Sequence, residues 1–110
     1  MNSEWDEDWN DVWIGFVELR LKKENPDYAE GYRGAFTTVV VRCDSAQEFV
    51  SALAERAALE HFEIAGIERL FPVSAGRFEI NKLVADLIQE THNYPTQWAT
   101  LRLFKPGTDA

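Results

Sequence analysis

GAFTTVVVRCDSAQEFVSALAERA, residues 34–57, joins the clearest strand pattern of the chain to its best-marked helix start. β-Branched residues dominate positions 34–43, as is typical of a strand, and alternate residues there share one face. Ser45 followed by Glu48 matches a capping box, which predicts a helix from residue 46 to about 61. Three apolar residues lie along one side of this helix: Phe49, Leu53 and Ala57. Such a stripe needs an apolar surface to cover it, and a sheet face provides one.

Alternating apolar residues predict an earlier strand over residues 12–23. One face of that strand holds Trp13, Val17, Leu19 and Leu21. The other face begins with Val12, Ile14 and Phe16. We therefore expect the first half of this strand to be covered on both sides.

The patterns after residue 61 predict two more strands, a short return strand and a second helix. Residues 62–73 form an apolar run that we expect to be irregular near Gly66, because glycine weakens a strand or marks a bulge. Residues 77–79 suit a short return strand. Apolar residues at helical spacing predict a helix over 80–91, and alternation predicts a closing strand over 97–105.

The order of these elements predicts an α+β fold. We expect a two-layer sandwich in which an antiparallel or mixed sheet carries both helices on one face. If the return strand forms, the elements from residue 34 follow the β-α-β-β-α-β order of a ferredoxin-like arrangement, with an added N-terminal strand. The predicted organisation is an acidic N-terminal segment (1–11), one domain (12–105) and a flexible tail (106–110). This pattern serves many functions and by itself indicates none.

The net charge of −8 is concentrated at the N-terminus. Residues 1–19 contain six acidic residues and no lysine or arginine, which accounts for −6 of the total. No basic cluster extends beyond Lys22 and Lys23, so we expect no nucleic-acid binding. The N-terminus is acidic and the chain has no long apolar run, so we expect neither a signal peptide nor a membrane span. The single cysteine cannot form an internal disulfide, and these features favour a cytoplasmic protein.

No set of catalytic residues can be assembled from the sequence. Cys43 comes just before a predicted helix N-terminus, which can lower the pKa of a thiol. Its place in the alternation of the strand nevertheless favours a small core residue. His61 and His92 lie at predicted helix ends, and nothing places either beside Cys43. We therefore assign no catalytic residues; the patterns favour a protein that is not an enzyme, and an enzyme is kept as the alternative.

A metal site is not expected either. Asp6, Asp8 and Asn10 have the spacing that begins a calcium-binding loop. Asp11 then stands where the loop needs glycine, and Val17 where it needs a bidentate glutamate. The chain also lacks the ligand set of a zinc site and a glycine-rich phosphate loop, so we expect no cofactor.

Two stretches have the composition of a partner-binding surface. One is WDEDWNDVW, residues 5–13, and the other is the connection over residues 24–34. The candidate partner-binding residues are Trp5, Asp6, Glu7, Asp8, Trp9, Asp11, Tyr28, Tyr32 and Arg33. Trp13 is assigned to the strand and its core face. Two alternatives remain open: Trp5 and Trp9 as a lid over the end of the sheet, and the connection as a plain solvated loop.

We therefore expect a non-catalytic protein–protein interaction module that binds a basic partner. In size and charge it is similar to acidic immunity proteins and other stoichiometric inhibitors, in which charge complementarity speeds association. The alternative is a small-molecule-binding or enzymatic α+β module with a cleft, in which a homodimer covers Val12, Ile14 and Phe16. A closed pocket with convergent polar groups near Cys43 or His61 would favour that alternative.

Overall fold

The computed structural model describes residues 11–75 and 81–106, which form a five-stranded antiparallel sheet and two α-helices. The elements are β1 (Val12–Leu21), β2 (Gly34–Arg42), α1 (Ala46–Leu59), β3 (Phe62–Pro72), α2 (Lys82–Glu90), β4 (Thr96–Trp98) and β5 (Arg102–Phe104). Short 3₁₀ helices occupy Pro26–Glu30 and Val73–Ala75. The predicted α+β class is confirmed. Neither helix has the length and apolar content needed to cross a membrane.

The strands are ordered β3-β1-β2-β4, and β5 also pairs with β2. Each of these pairings is antiparallel. β1 lies at the centre of the sheet, between β2 and β3, and not at its margin. The return strand predicted at residues 77–79 falls outside the described residues. The ferredoxin-like arrangement therefore stays a prediction.

The two helices pack on opposite faces of the sheet. The core beneath α1 contains Phe49, Leu53 and the odd-numbered strand residues Val17, Leu19, Val39 and Val41. The core beneath α2 contains Val84, Ile88 and the even-numbered strand residues Val12, Ile14 and Val40. Successive strand residues point to opposite faces, so the two sets define an α1 face and an α2 face. The prediction that both helices share one face is wrong, because an apolar stripe shows which side of a helix is buried but not which sheet face receives it.

β3 is irregular where it pairs with β1. The register shifts between Ile64 and Gly66 and again between Glu68 and Phe71, which confirms the irregularity predicted near Gly66. At the second shift Arg69 has a φ of 54°, a conformation that non-glycine residues adopt mainly at such irregularities.

The end of the sheet contains an extra residue. Trp98 on β4 pairs with Val39, and Arg102 on β5 pairs with Phe36. The chain therefore advances four residues from Trp98 to Arg102 while β2 advances only three between their partners. Successive side chains of a strand point to opposite faces, so one extra residue changes the face of those that follow it. Trp98 packs against the α1 core, whereas Arg102 lies on the α2 face. The prediction of one uninterrupted strand over 97–105 is therefore wrong.

Candidate binding site

α2 covers only part of its sheet face. Val12, Ile14 and Val40 are buried beneath it, whereas Phe16 is partly exposed and the side chain of Phe36 is 47% exposed. The nine residues of α2 span about 14 Å, and the ten residues of β1 span about 33 Å. The helix is therefore too short to cover the whole length of the strands.

The uncovered area forms a groove of about 510 Å³, called the open groove below. Its principal side chains are Phe16, Glu18, Phe36, Glu68, Leu83 and Arg102. Leu83, near the beginning of α2, forms one wall and is 58% exposed. Two exposed apolar side chains that face the same groove make an apolar patch of the kind that binding sites contain.

The strand register fixes the order of side chains across the groove. Glu18 on β1 pairs with Phe36 on β2, and Phe36 pairs with Arg102 on β5. These three residues lie on one face, so carboxylate, aromatic ring and guanidinium stand side by side. One pair further along, Phe16 is opposite Glu68 on β3. The groove thus has an aromatic floor, two carboxylates on its β1 and β3 side, and a guanidinium on its β5 side.

Contacts between neighbours fix the rings of the floor. Phe36 stacks on Phe104, with ring centroids 5.0 Å apart. Phe104 lies so close over Gly34 that a Cβ at that position would overlap its ring. The guanidinium of Arg69 lies 5.4 Å from the ring centroid of Phe16. The floor is therefore preformed, which lowers the entropic cost of binding.

Three charged side chains at the groove have no partner within residues 11–75 and 81–106. Glu18, Glu68 and Arg102 form no ion pair or side-chain hydrogen bond with the described residues. The neighbouring Arg20, by contrast, donates to Glu63 at 2.8 Å. Unpaired charges beside an apolar floor can contribute to the specificity and rate of partner binding.

Only four of the residues predicted to bind a partner are among those the structure describes, and these four do not form one compact surface. The other five lie outside the described residues: Trp5, Asp6, Glu7, Asp8 and Trp9. Asp11 precedes β1, whereas the connection over residues 24–34 follows its other end, about 30 Å away at the rise of a strand. Trp13 packs against the core under α1, as predicted.

Asp11 is held by the folded domain. Arg42 Nη1 donates to Asp11 Oδ1 at 2.7 Å, and the backbone N–H of Cys43 donates to the Asp11 carbonyl oxygen at 2.8 Å. Arg42 Nε also donates to Thr91 Oγ1 at 3.0 Å, just after α2. The acidic N-terminal segment therefore joins the domain at a fixed point beside the end of α2.

The connection over residues 24–34 is held in place by side-chain contacts and is not a plain solvated loop. The Arg33 guanidinium lies 3.7 Å from the ring centroid of Tyr28, and its Nη1 donates to the carbonyl oxygens of Tyr28 and Tyr32, each at 2.9 Å. The buried Asn25 donates from Nδ2 to the Glu60 carbonyl oxygen at 2.9 Å, which ties the connection to the end of α1.

The same connection contributes no residue to the open groove but lines a hollow beside it. This hollow, of about 350 Å³, is lined by Tyr28, Arg33, Phe104 and Glu18. Glu18 lines both the hollow and the open groove. Neither Tyr28 nor Arg33 lines the open groove, and Tyr28 packs against the core under α1. Asp11 lies at the opposite end of β1.

Cys43, the candidate nucleophile, has the properties of an unreactive thiol. Burial raises the pKa of the Cys43 thiol to about 11, and its Sγ donates to the Ser45 carbonyl oxygen at 3.5 Å. A thiol with such a pKa is protonated near neutral pH and is a weak nucleophile. The open groove is lined by neither Cys43 nor His61. In the described part of the chain, no group of three or more His, Cys, Asp or Glu residues is arranged to hold a metal ion.

The sequence patterns did not identify the open groove. Its members come from five separate elements, and Phe36 and Leu83 meet only through the tertiary fold. One signal was present: Phe16 and Phe36 each place a large aromatic residue on a strand face that also carries polar residues. An aromatic residue at such a position in each of two strands indicates either a covering element or a binding surface.

The open groove has the properties of a binding surface. An aromatic floor with charges on both sides suits a partner that carries apolar and charged groups together. No protein-family model, no curated protein and no solved structure matches the chain, so the groove and the charge distribution are the basis for a functional proposal.

Proposed function

We propose that the protein is a non-catalytic interaction module that binds a basic protein partner through the open groove. The observation that carries this proposal is the exposure of Phe36, at 47%, on a face that also holds the carboxylates of Glu18 and Glu68, which pair with none of the described residues. Aromatic side chains at the centre of a contact commonly supply most of the binding free energy. Charges beside them select the partner and speed its approach.

The charge of the chain supports a basic partner. The net charge is −8, and most of it lies in the first 19 residues. A field of this sign attracts cationic surfaces over roughly one Debye length, about 8–10 Å at physiological salt. The proposal keeps the acidic N-terminal segment as a second contact, anchored at Asp11, and Tyr28 and Arg33 as contacts in the adjoining hollow.

The proposal also names a class of protein. A small acidic domain that binds a basic partner in one-to-one stoichiometry is suited to an immunity-type or inhibitor role. Its action would be to cover a functional surface of the partner. We place this role in the cytoplasm, on the grounds of acidic charge and a single cysteine.

Capture of partners from the native host tests the proposal, with three immobilised proteins compared side by side. The wild type is compared with Phe36→Thr, which removes the exposed ring, and with Leu59→Gln. Leu59 is the matched control because it is 71% exposed but lies on α1, across the sheet from the groove. We expect the wild type and Leu59→Gln to retain the same basic protein, released by added salt, and Phe36→Thr to lose it. Equal retention by all three proteins would contradict the proposal.

A second candidate function is small-molecule binding in the same groove. Its volume of about 510 Å³ lies in the range of ligand pockets, and its rings and carboxylates suit a small organic cation. A thermal-shift screen with aromatic and quaternary ammonium compounds tests this candidate. A rise in Tm that is absent in Phe36→Thr would favour it over a protein partner.

A further inference from the structure

We infer that the open groove receives one amphipathic helix of the partner, laid beside α2 with its lysine or arginine residues toward Glu18 and Glu68. This inference rests on the proposed function and adds the shape and the charge pattern of the bound segment. Three features carry it: the groove lies on a sheet face, its width suits one helix, and its charges are divided between its two sides.

The groove is on the face of the sheet and not at its edge. β1 pairs along its length with β2 on one side and β3 on the other, so its backbone groups are already hydrogen-bonded. An extended segment laid on this face would find no backbone partners, unlike a strand added to a sheet edge. An α-helix satisfies its own backbone and is the usual cover of a sheet face. α2 covers the neighbouring part of the same face in this way.

The dimensions of the groove fit a single helix. Phe16 and Glu18 line the groove, and the part of β1 that α2 leaves uncovered on this face continues to Arg20, about 13 Å from Phe16 at 3.3 Å per residue. That length is close to the diameter of one helix with its side chains, about 10–12 Å. Leu83 on α2 forms a wall against which the bound helix would pack, and Phe36 stands on the floor. The apolar stripe of the partner would cover Leu83 and Phe36 together.

The charges define which end of the bound helix is basic, because they are divided across the strands, in the direction of the helix axis. Glu18 and Glu68 line the groove on the β1 and β3 side, and Arg102 lines it on the β5 side. Basic residues toward the end of the helix over β1 and β3, with acidic or neutral residues toward the end over β5, complement this division. A second copy of this chain has the same net charge of −8, so mutual repulsion opposes its docking here.

A model peptide tests the inference directly on the full chain. The probe is a fluorescein-labelled helix of leucine and lysine, with leucine at helical spacing, titrated by fluorescence anisotropy. A second labelled peptide, in which valine and lysine alternate, has the same charge but favours a strand. The variants are Phe36→Thr, Leu83→Gln and the control Leu59→Gln, each checked by circular dichroism for a folded domain.

We expect the leucine–lysine helix to bind the wild type and to lose at least about tenfold in affinity to Phe36→Thr or Leu83→Gln, the effect of removing a central anchor. Leu59→Gln should change the affinity less than about twofold. Glu68→Lys should weaken binding and Arg102→Glu should strengthen it, each by about two- to fivefold at low salt. An increase in affinity on reversing Arg102 is not expected from damage to the fold.

Three results would overturn the inference. Should the valine–lysine peptide bind as tightly as the leucine–lysine helix or more tightly, with the same dependence on Phe36, that result would keep the basic-partner function and reject the bound helix. If the leucine–lysine helix bound every variant equally strongly, the binding would be adsorption to an acidic surface. That result would reject both the bound helix and the proposed function of the groove. Concentration-dependent self-association of the wild type, abolished by Phe36→Thr in sedimentation velocity, would show that a second copy occupies the groove.

Discussion

The ring of Phe36 stacks on the ring of Phe104, with centroids 5.0 Å apart and an interplanar angle of 29°. The stack joins β2 to β5 on the α2 face, in the part of the sheet that α2 does not reach. Because Phe36 remains 47% exposed, the pair forms surface rather than core. This relationship makes the floor of the open groove rigid and leaves its aromatic centre accessible.

Gly34 should be intolerant of any side chain, since Phe104 occupies the space where a Cβ would stand. We expect Gly34→Ala to lower the free energy of unfolding by about 1–3 kcal/mol, as overpacking does. Gly66→Ala is the matched control because nothing lies within 4 Å of a Cβ at that position. Urea denaturation measures both, and equal stability of the two variants would contradict the position of Phe104.

Phe36 should matter little for stability because its side chain is half exposed. Phe36→Thr keeps a residue that favours strands, and we expect it to cost about 1 kcal/mol through loss of the stack with Phe104. Phe49→Ala, at a fully buried position under α1, should cost about 3–5 kcal/mol. Thermal or denaturant unfolding of the two variants distinguishes a surface role from a core role. A loss at Phe36 as large as that at Phe49 would assign Phe36 to the core.

Cys43 should react slowly in the folded protein because burial raises the pKa of its thiol from 9.0 to about 11. At pH 8 we expect a thiol reagent to modify the native chain about 10- to 100-fold more slowly than the urea-unfolded chain. A comparable rate in both states would show an accessible, acidic thiol.

The same shift of the Cys43 pKa predicts how stability depends on alkaline pH. Because the pKa is raised on folding, the contribution to stability is present below about pH 9 and is lost as pH rises toward 11. Cys43→Ala should therefore flatten the decline of unfolding free energy over this window. A wild type and a variant with the same slope would contradict the raised pKa.

Arg42 should stabilise the junction between the N-terminal segment and the domain, since it donates both to Asp11 and to Thr91. We expect Arg42→Met to cost about 1–2 kcal/mol of unfolding free energy, because it removes both bonds. Asp11→Asn should cost less than about 1 kcal/mol, because the Asp11 side chain is half exposed and the pair is screened. A double-mutant cycle measures their coupling, and a coupling of zero would mean that the ion pair does not hold the junction.

Local features of the fold were predictable from the sequence. Ser45 Oγ accepts a hydrogen bond from the Glu48 backbone N–H at 3.1 Å, as the capping box predicts. Asn81 Oδ1 accepts from the Val84 N–H at the start of α2 in the same way, and asparagine before a helical apolar pattern is a recognisable N-cap. Such contacts join residues a few positions apart, so the local pattern is sufficient to find them.

Features that depend on distant residues were not predictable in the same way. The face on which α2 packs depends on how the chain crosses the sheet, which no residue of α2 encodes locally. The extra residue between Trp98 and Arg102 changes which side chains face the groove, and alternation cannot reveal it. The candidate site was missed for this reason: its centre, Phe36, and its wall, Leu83, meet only when both of these features are known.

The central claim is that the open groove, and not the acidic charge alone, binds a basic partner. The anisotropy titration of the leucine–lysine helix with wild type, Phe36→Thr and Leu59→Gln measures this most directly, since the three proteins carry the same charge. We expect at least about a tenfold loss of affinity for Phe36→Thr and less than about twofold for Leu59→Gln. Equal affinities of the three proteins for this peptide would contradict it.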